Sequence, residues 1–546
     1  MENRTTSVTR AEHYRAQGWW TSDTLASRVK RHAAERGEVI AVVDQVGAGH
    51  SYRELCHDGA VVGQMLQAYG VEPGDVVSIQ LPNRYETVVA AVAAQSIGAV
   101  INPLVPSYRT RELTHVFQTA RPRVIFTPAV YRGWDHRKMI DEVRKASGIT
   151  PVLVVVDDDD EGGDVSLREV LARSDGSRTL GDGSASTAVS EVIFTSGTEA
   201  TPKAVMHTEE TTNFGVRTAF EDLGVRPDQV VWMPSPVGHS TGFNYGVRAA
   251  LYHGRTLVLQ DRWDASSAID LIDRYGCSFT LAATTFLEDL VDACERGDIQ
   301  LPQMTHFGCG GAPVPARLVQ RAEAVGIGVL RLYGSTEVLC GTWNRPDSPL
   351  VKRVTTDGPA LTHTEFELRD EAGRALALPA EGEVYIRGPN TSVGFFDDEA
   401  RTATTYLDGG WVRSGDLARI DEDGFLTIVG RKKEIIIRGG VNVAPREIED
   451  LLVAFPEVQQ AAVVGVPDQR LGERGCACLV LSPGATLDLG EVVVRLGKTG
   501  LATYKFPEQL YLLDHFPVTP SGKVQKHELL RQILADRHPQ NGIKDE

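Results

Sequence analysis

The segment Phe194-Thr195-Ser196-Gly197-Thr198-Glu199-Ala200-Thr201-Pro202-Lys203-Ala204-Val205 collects several hydroxyls, a glycine and a lysine in one short stretch. Small side chains let backbone N–H groups approach phosphate oxygens, hydroxyls donate to them, and a lysine adds a point charge. The chemistry suggested is the grip of a polyphosphate. No second glycine precedes Lys203 and no Ser or Thr follows it, so this is not a Walker loop. An ordinary hairpin turn is the competing reading.

Four further clusters follow in order. Tyr333-Gly334-Ser335-Thr336-Glu337 comes after the apolar Val329–Leu332 and reads as a strand running into a glycine turn with a hydroxyl and a carboxylate, and Ser414-Gly415-Asp416 comes after Trp411-Val412. Gly430-Arg431-Lys432-Lys433-Glu434 leads into an apolar triplet and then Gly439-Gly440-Val441-Asn442-Val443. Near the end stands Pro520-Ser521-Gly522-Lys523-Val524. Each alone reads equally well as a surface turn. All five in this order are hard to explain as turns.

The elements that must carry these clusters alternate. Leu25–Arg36 has helical spacing and leads to a strand at Val39–Val43; Glu54–Tyr69 (helix), Val76–Leu81 (strand), Tyr85–Ser96 (helix) and Val100–Asn102 (strand) repeat the pattern. Such alternation predicts α/β layers around largely parallel sheets. Val189–Ile193 reads as the strand entering the first cluster, Gly181–Thr187 as a flexible approach to it, and His207 as the start of a polar segment. Val152–Val156 reads as a buried strand running into the acidic Asp157–Asp164, a solvated loop. After Gly382 short β-like runs (Glu383–Arg387, Leu426–Val429, Glu434–Ile437) are separated by glycines. Beyond them come an amphipathic helix at Ile448–Ala454, a strand pair at Gln460–Val466 and Ala477–Leu481, and a helix near Leu489–Lys498.

The 546 residues carry a formal net charge of -17, which disfavours broad contact with nucleic acid. No apolar run approaches the length of a membrane span. Met1–Arg15 has no apolar signal region, and seven cysteines without a CxxC pair fit a reducing, cytoplasmic setting; Cys476 and Cys478 read as core.

Taken together, the five clusters resemble the adenylate-forming superfamily of acyl-CoA synthetases, peptide-synthetase adenylation domains and beetle luciferases, over roughly Thr24 to Leu530. The resemblance implies an α/β fold: a large N-terminal domain of layered α/β subdomains (1–430) and a small mobile α+β C-terminal lid (431–546), with the hinge at 431–433. It also implies two half-reactions. A carboxylate first attacks the α-phosphorus of ATP, giving acyl-adenylate and pyrophosphate. After the lid rotates, a thiol attacks the acyl carbonyl and AMP leaves.

Carried over by motif position, Thr195, Ser196, Gly197, Thr198 and Lys203 cradle the β,γ-phosphates, and Glu337, with Thr198, ligates Mg²⁺. Thr336 contacts the α-phosphate, while Tyr333 of the Tyr333-Gly334-Ser335 run stacks on adenine against Gly311-Ala312-Pro313. Asp416 accepts from both ribose hydroxyls with Arg431 assisting, and Lys523 bridges carboxylate and α-phosphate. Lys433 takes the hinge position, and Gly439 and Gly440 line the pantetheine tunnel. The acyl pocket falls at Pro236–Gly242 and Gly308–Gly311, which include His239, Ser240 and Gly310.

Amino-acid-activating relatives carry an aspartate in the first of these regions, and here there is none. The expectation is therefore a free-standing CoA ligase for an apolar carboxylic acid, cyclic or aromatic acids included. The substrates and cofactors implied are ATP (or acyl-AMP), Mg²⁺ and coenzyme A. The phosphate loop departs from the family pattern, with Glu199-Ala200 for Thr-Gly and Ala204 for the final glycine. That departure opens one rival, an enzyme that only transfers CoA onto an acyl-adenylate made by a partner enzyme. The other rivals are a carrier-protein loader and a non-catalytic nucleotide binder; a homodimer is also left open.

Overall fold

The computed structural model describes residues 8–157, 163–173, 178–195, 202–311, 314–439, 441–519 and 522–537. Of the sites read from the sequence, Ser196, Gly197, Thr198, Glu199, Ala200, Thr201, Ala312, Pro313, Gly440, Pro520 and Ser521 lie outside these residues, as do residues 158–162 of the acidic run.

Four large sheets organise the chain. A seven-stranded sheet runs Lys203–Thr208, Val189–Thr195, Val100–Pro103, Val76–Ile79, Val124–Thr127, Val152–Val155, Val165–Ser166, parallel except for its first pair. An eight-stranded sheet has parallel inner strands and an antiparallel pair at either edge, one of them Val329–Ser335 with Leu339–Trp343. An antiparallel sheet is built around Ala380–Arg387 and Trp411–Ile420 and ends with Leu426–Arg431. The chain then makes a single 3-10 turn, Lys432–Glu434, and enters the fourth sheet, five-stranded like the third, at Ile436–Arg438.

Local sequence explains the helices that pack these layers. Leu25–Arg36 begins where predicted because Thr24 and Ser27 form a capping box, and Ser51 and Glu54 do the same for Tyr52–Ala68. Tyr85–Ser96 is buried along almost its whole length, as a helix between two layers must be.

Three sequence expectations change. Lys203–Thr208 is a strand paired antiparallel with Val189–Thr195, so His207 lies within a sheet and does not open a polar segment. Tyr333, Gly334 and Ser335 belong to a strand, and the turn is confined to 336–338. The approach at Gly181–Thr187 is pinned: the Gly183 N–H donates to Ser96 O, and a Cβ on Gly181 would stand 2.2 Å from that oxygen. A stretch that dense with backbone contact is held, whatever its composition suggests.

A buried ionic cluster that hydrophobic patterning cannot reveal joins the strand Val189–Thr195 to the helix Glu209–Leu223. Arg248, fully buried, pairs with Glu191 at 3.0 Å and Glu209 at 2.9 Å. Asn244, Gln95 and Asn213 donate to the same carboxylates. Paired and hydrogen-bonded charges are the form in which ionic groups survive burial.

Candidate active site

The phosphate-type loop joins two paired strands: Thr195 ends one, Lys203 begins the next, and the two residues are cross-strand partners. Hairpin and anion cradle are alternatives on sequence grounds; the flanking strands pair antiparallel, and residues 196–201 between them lie outside the described residues. Lys203 lies 6.0 Å from the Phe395 ring centroid. Segment 393–396 runs along the Lys203 strand, with Met206 N–H donating to Gly394 O and Phe396 N–H to Ala204 O.

Thr336 is buried, and its carbonyl accepts from His207 Nε2 at 2.7 Å. That histidine was missed by sequence reading; its only signal is a polar residue directly after the apolar run Ala204–Met206. Glu337 is half-buried, and its carbonyl accepts from the Ser392 N–H.

Asp416 reaches the site through an irregularity in its strand. Register runs from Tyr385 opposite Arg413 to Glu383 opposite Leu417, so the Ser414-Gly415-Asp416 side carries extra residues. Gly415 at φ 75° takes the left-handed conformation this bulge needs. Ser414 Oγ donates to Val384 O and accepts from the Asp416 N–H, which fixes the bulge. Asp416 then receives the Tyr333 hydroxyl at 2.6 Å and faces Arg431 Nε at 3.1 Å. Burial raises the Asp416 carboxyl above its ordinary value, with Arg431, Tyr333 and Lys523 opposing.

Lys523 comes from the other end of the chain. A Cβ on Gly311 would stand 3.0 Å from Lys523 Cε, so the lysine stem lies directly on that glycine. Burial lowers the Lys523 ammonium from its ordinary value and Arg431 lowers it further, while Asp416 and Glu337 oppose. The preceding Gly522 sits beside Thr285 and Ala283 at the head of the helix Thr284–Gly297. Lys523, Glu337, Asp416, Arg431, Tyr333 and Gly311 therefore share one space.

His239 borders that space. Its side chain accepts from the Thr241 N–H at 3.3 Å, and burial, then Lys523, pulls its pKa down to about 4. Ser240 is buried beneath it with Oγ 3.4 Å from Asn244 Nδ2, which connects the pocket to the Glu191–Arg248 cluster. Gly310 sits against Leu332 O, where a Cβ would come within 2.6 Å. Gly334 and Ser335 support the strand end opposite Cys340 and Leu339.

Gly439 is not brought to the same place. It lies on an exposed turn between Ile436–Arg438 and Val441–Val443, its N–H donating to Leu471 O. Lys433 is exposed in the turn between the third and fourth sheets.

Known proteins resemble this chain in sequence and fold. The AMP-binding enzyme family matches residues 29–396, and the AMP-binding enzyme C-terminal domain matches 447–523. The medium-chain fatty-acid–CoA ligase of Escherichia coli is 36% identical over 526 residues, 95% of this chain and 92% of its own. A 3-[(3aS,4S,7aS)-7a-methyl-1,5-dioxo-octahydro-1H-inden-4-yl]propanoyl:CoA ligase of Mycobacterium tuberculosis is 33% identical, covering 85% of this chain and 90% of its own. ATP-bound MatB from Rhodopseudomonas palustris superposes with a TM-score of 0.83 at 27% identity, over 93% of this chain and 98% of that one. These likenesses do not favour the transfer-only, carrier-loading or non-catalytic readings. The chain belongs to the AMP-binding enzyme family, on its acyl-CoA synthetase branch: an acid–thiol ligase that uses ATP and CoA and works through an acyl-adenylate.

Proposed function

We propose that this ligase activates an apolar carboxylic acid, and that the structure holds it in the arrangement suited to the first half-reaction. The observation that carries the reading is Lys523 seated on Gly311 within the field of Asp416, Glu337 and Arg431. In this reading a carboxylate oxygen attacks the α-phosphorus, the bond to the β-phosphate breaks, and pyrophosphate departs. Two anions must meet, so oriented donors and cations carry the catalysis. Lys523 supplies its ammonium where carboxylate and α-phosphate come together, Thr336 its hydroxyl to the α-phosphate, and Thr195 with Lys203 grip the outer phosphates. Tyr333 offers its ring to adenine, and Asp416 with Arg431 binds the ribose.

Glu337 fits a magnesium site by the chemistry of its donor: a half-buried carboxylate whose charge acts on Lys523, Arg431 and Asp416. When bound, Mg²⁺ offsets charge on the phosphate oxygens.

For the acid, His239 and Ser240 border the pocket mouth, and no carboxylate occurs between Pro236 and Gly242 to hold a substrate ammonium. The Escherichia coli and Mycobacterium tuberculosis relatives are named for a fatty acid and a polycyclic propanoate, which supports a largely apolar acyl group. For the second half-reaction, residues 431–546 form a lid turning at 431–433, and rotation takes Lys523 out and brings Gly439 and Gly440 to line the CoA path. The exposed position of Gly439 supports this alternation. The seven cysteines are free thiols, which supports a cytoplasmic setting.

The test is pyrophosphate release and acyl-CoA formation across medium-chain, alicyclic and aromatic acids, with amino acids and dicarboxylates beside them. Turnover of the apolar acids is expected. Preference for an amino acid or a dicarboxylate would overturn the substrate class, and pyrophosphate-free transfer from supplied acyl-adenylate alone would overturn the first half-reaction.

A further inference from the structure

The 3-10 turn Lys432–Glu434 is anchored differently on its two sides. Lys432 Nζ donates to Glu383 Oε2 at 2.8 Å, and Glu383, buried at 4% exposure, is also gripped by Arg413 at 2.6 and 3.0 Å. Both partners belong to the third sheet, on the N-terminal side. Glu434 instead accepts from Lys526 Nζ at 2.9 Å, and Lys526 also donates to Glu449 at 2.8 Å. Glu449 lies on the helix Pro445–Val453, is buried, and receives the Val463 N–H at 2.7 Å. Lys526 therefore sits between a carboxylate of the turn and one in the core of the C-terminal domain.

Lys526 is also three residues beyond Lys523. The intervening backbone is folded back on itself: Thr519 N–H donates to Lys523 O, Lys523 N–H to Thr519 Oγ1, and Gln525 N–H to Pro517 O. A shift of Lys526 is thus passed to Lys523 through a short, internally bonded strap.

We propose that Glu434 and Lys526 are positioning residues for the adenylation step. Their ion pair ties the strap bearing Lys523 to the turn, while Lys432–Glu383 ties the other side of that turn to the N-terminal domain. The two anchors flank residue 433 on either side, so the orientation reached at the turn sets where Lys523 lies. The inference rests on the two-half-reaction reading above. Neither residue touches the reacting atoms; both act through Lys523.

Glu434→Ala removes the turn-side partner and leaves Lys526–Glu449 intact. Pyrophosphate release should fall about tenfold or more, as expected for loss of a charge-assisted bond, with the KM for ATP nearly unchanged. Thioester formation from supplied acyl-adenylate should stay within about twofold, because the proposed role ends with the first half-reaction. By hydrogen exchange, the Lys523 and Gln525 amides should exchange about fivefold faster than in the parent protein. Lys526→Met, which also strips Glu449, tests the pair: Glu434→Ala/Lys526→Met should be no slower than Lys526→Met alone. Unchanged adenylation and exchange would overturn the inference, as would parallel loss of both half-reactions with a lowered Tm. If no acid yields pyrophosphate with the parent enzyme, the proposed function fails, and amide exchange alone then decides the inference.

Discussion

The Tyr333 hydroxyl donates to Asp416 Oδ2 across 2.6 Å, and that bond joins the eight-stranded sheet to the antiparallel sheet around Ala380–Arg387. The residue proposed to stack on adenine therefore holds the residue proposed to bind ribose. Both are buried, so neither group has water as a ready substitute partner.

Tyr333→Phe keeps the ring and removes the donor. A net loss of about 1 kcal/mol, typical of one hydrogen bond, should raise the KM for ATP about fivefold with little change in kcat. Asp416→Ala should cost far more, since the ribose partner itself goes. An unchanged KM for ATP in Tyr333→Phe would show that Asp416 is oriented by Arg431 alone.

Gly311 gives a second prediction. It sits at φ 78°, and an added Cβ would press on Lys523 Cε at 3.0 Å. Gly311→Ala is thus strained in the backbone and crowds the lysine stem. Adenylation should fall at least about tenfold, matching a loss of roughly 1.4 kcal/mol, while thioester formation from acyl-adenylate is affected much less. Equal loss in both half-reactions would place the damage in the fold.

How far the sequence reveals this site depends on the range of the interaction concerned. Capping boxes and helical periodicity are local, so Leu25–Arg36 and Tyr85–Ser96 are legible to the residue. Motif order brought Lys523, Asp416, Tyr333 and Glu337 into one reading because each lies in a compositionally unusual run. His207, Glu191 and Arg248 carry no such run: their partners are 129 residues (Thr336) and 57 residues (Arg248 to Glu191) away along the chain. Pairing over such distances is set by sheet order, which no window of sequence contains. The Lys526–Glu434 pair, 92 residues apart, was hidden for the same reason.

The Lys523 ammonium should show itself in the pH dependence of adenylation. Burial holds its pKa below the ordinary lysine value. The charged form is needed where carboxylate meets α-phosphate, so activity is present below the shifted value and lost as pH rises through it. In kcat/KM for pyrophosphate release this gives a falling alkaline limb beginning below the pH at which an ordinary lysine titrates. Lys523→Arg, which stays charged, should lose that limb even if it is slower throughout. Lys523→Ala should cost about 10²–10³ in adenylation, the scale of one preorganised electrostatic contact, and spare transfer from acyl-adenylate. An alkaline limb that persists in Lys523→Arg would assign it to another group.

Acid should destabilise the fold through His136. It is fully buried, with Nδ1 3.4 Å from Gln80 Oε1 and Nε2 without a hydrogen-bond partner among the described residues. Burial first, then Arg109, pulls its pKa to about 4. An unfolded histidine takes its proton near pH 6.5, so between about 6.5 and 4 the unfolded chain binds a proton the folded one does not. Unfolding is therefore favoured as pH falls through that window, and the shift of about 2.5 units corresponds to about 3 kcal/mol lost by pH 4. Above pH 6.5 both states are neutral at this site and its contribution is constant. Urea midpoints at pH 7.5 and 5.0 should therefore separate in the parent protein, and by less in His136→Gln, which cannot titrate. His239 and His253, pulled to about 4 and about 3, lose stability in the same direction and keep some slope in that variant. An identical pH slope in parent and His136→Gln would show that His136 is protonated, or hydrated, in the folded state.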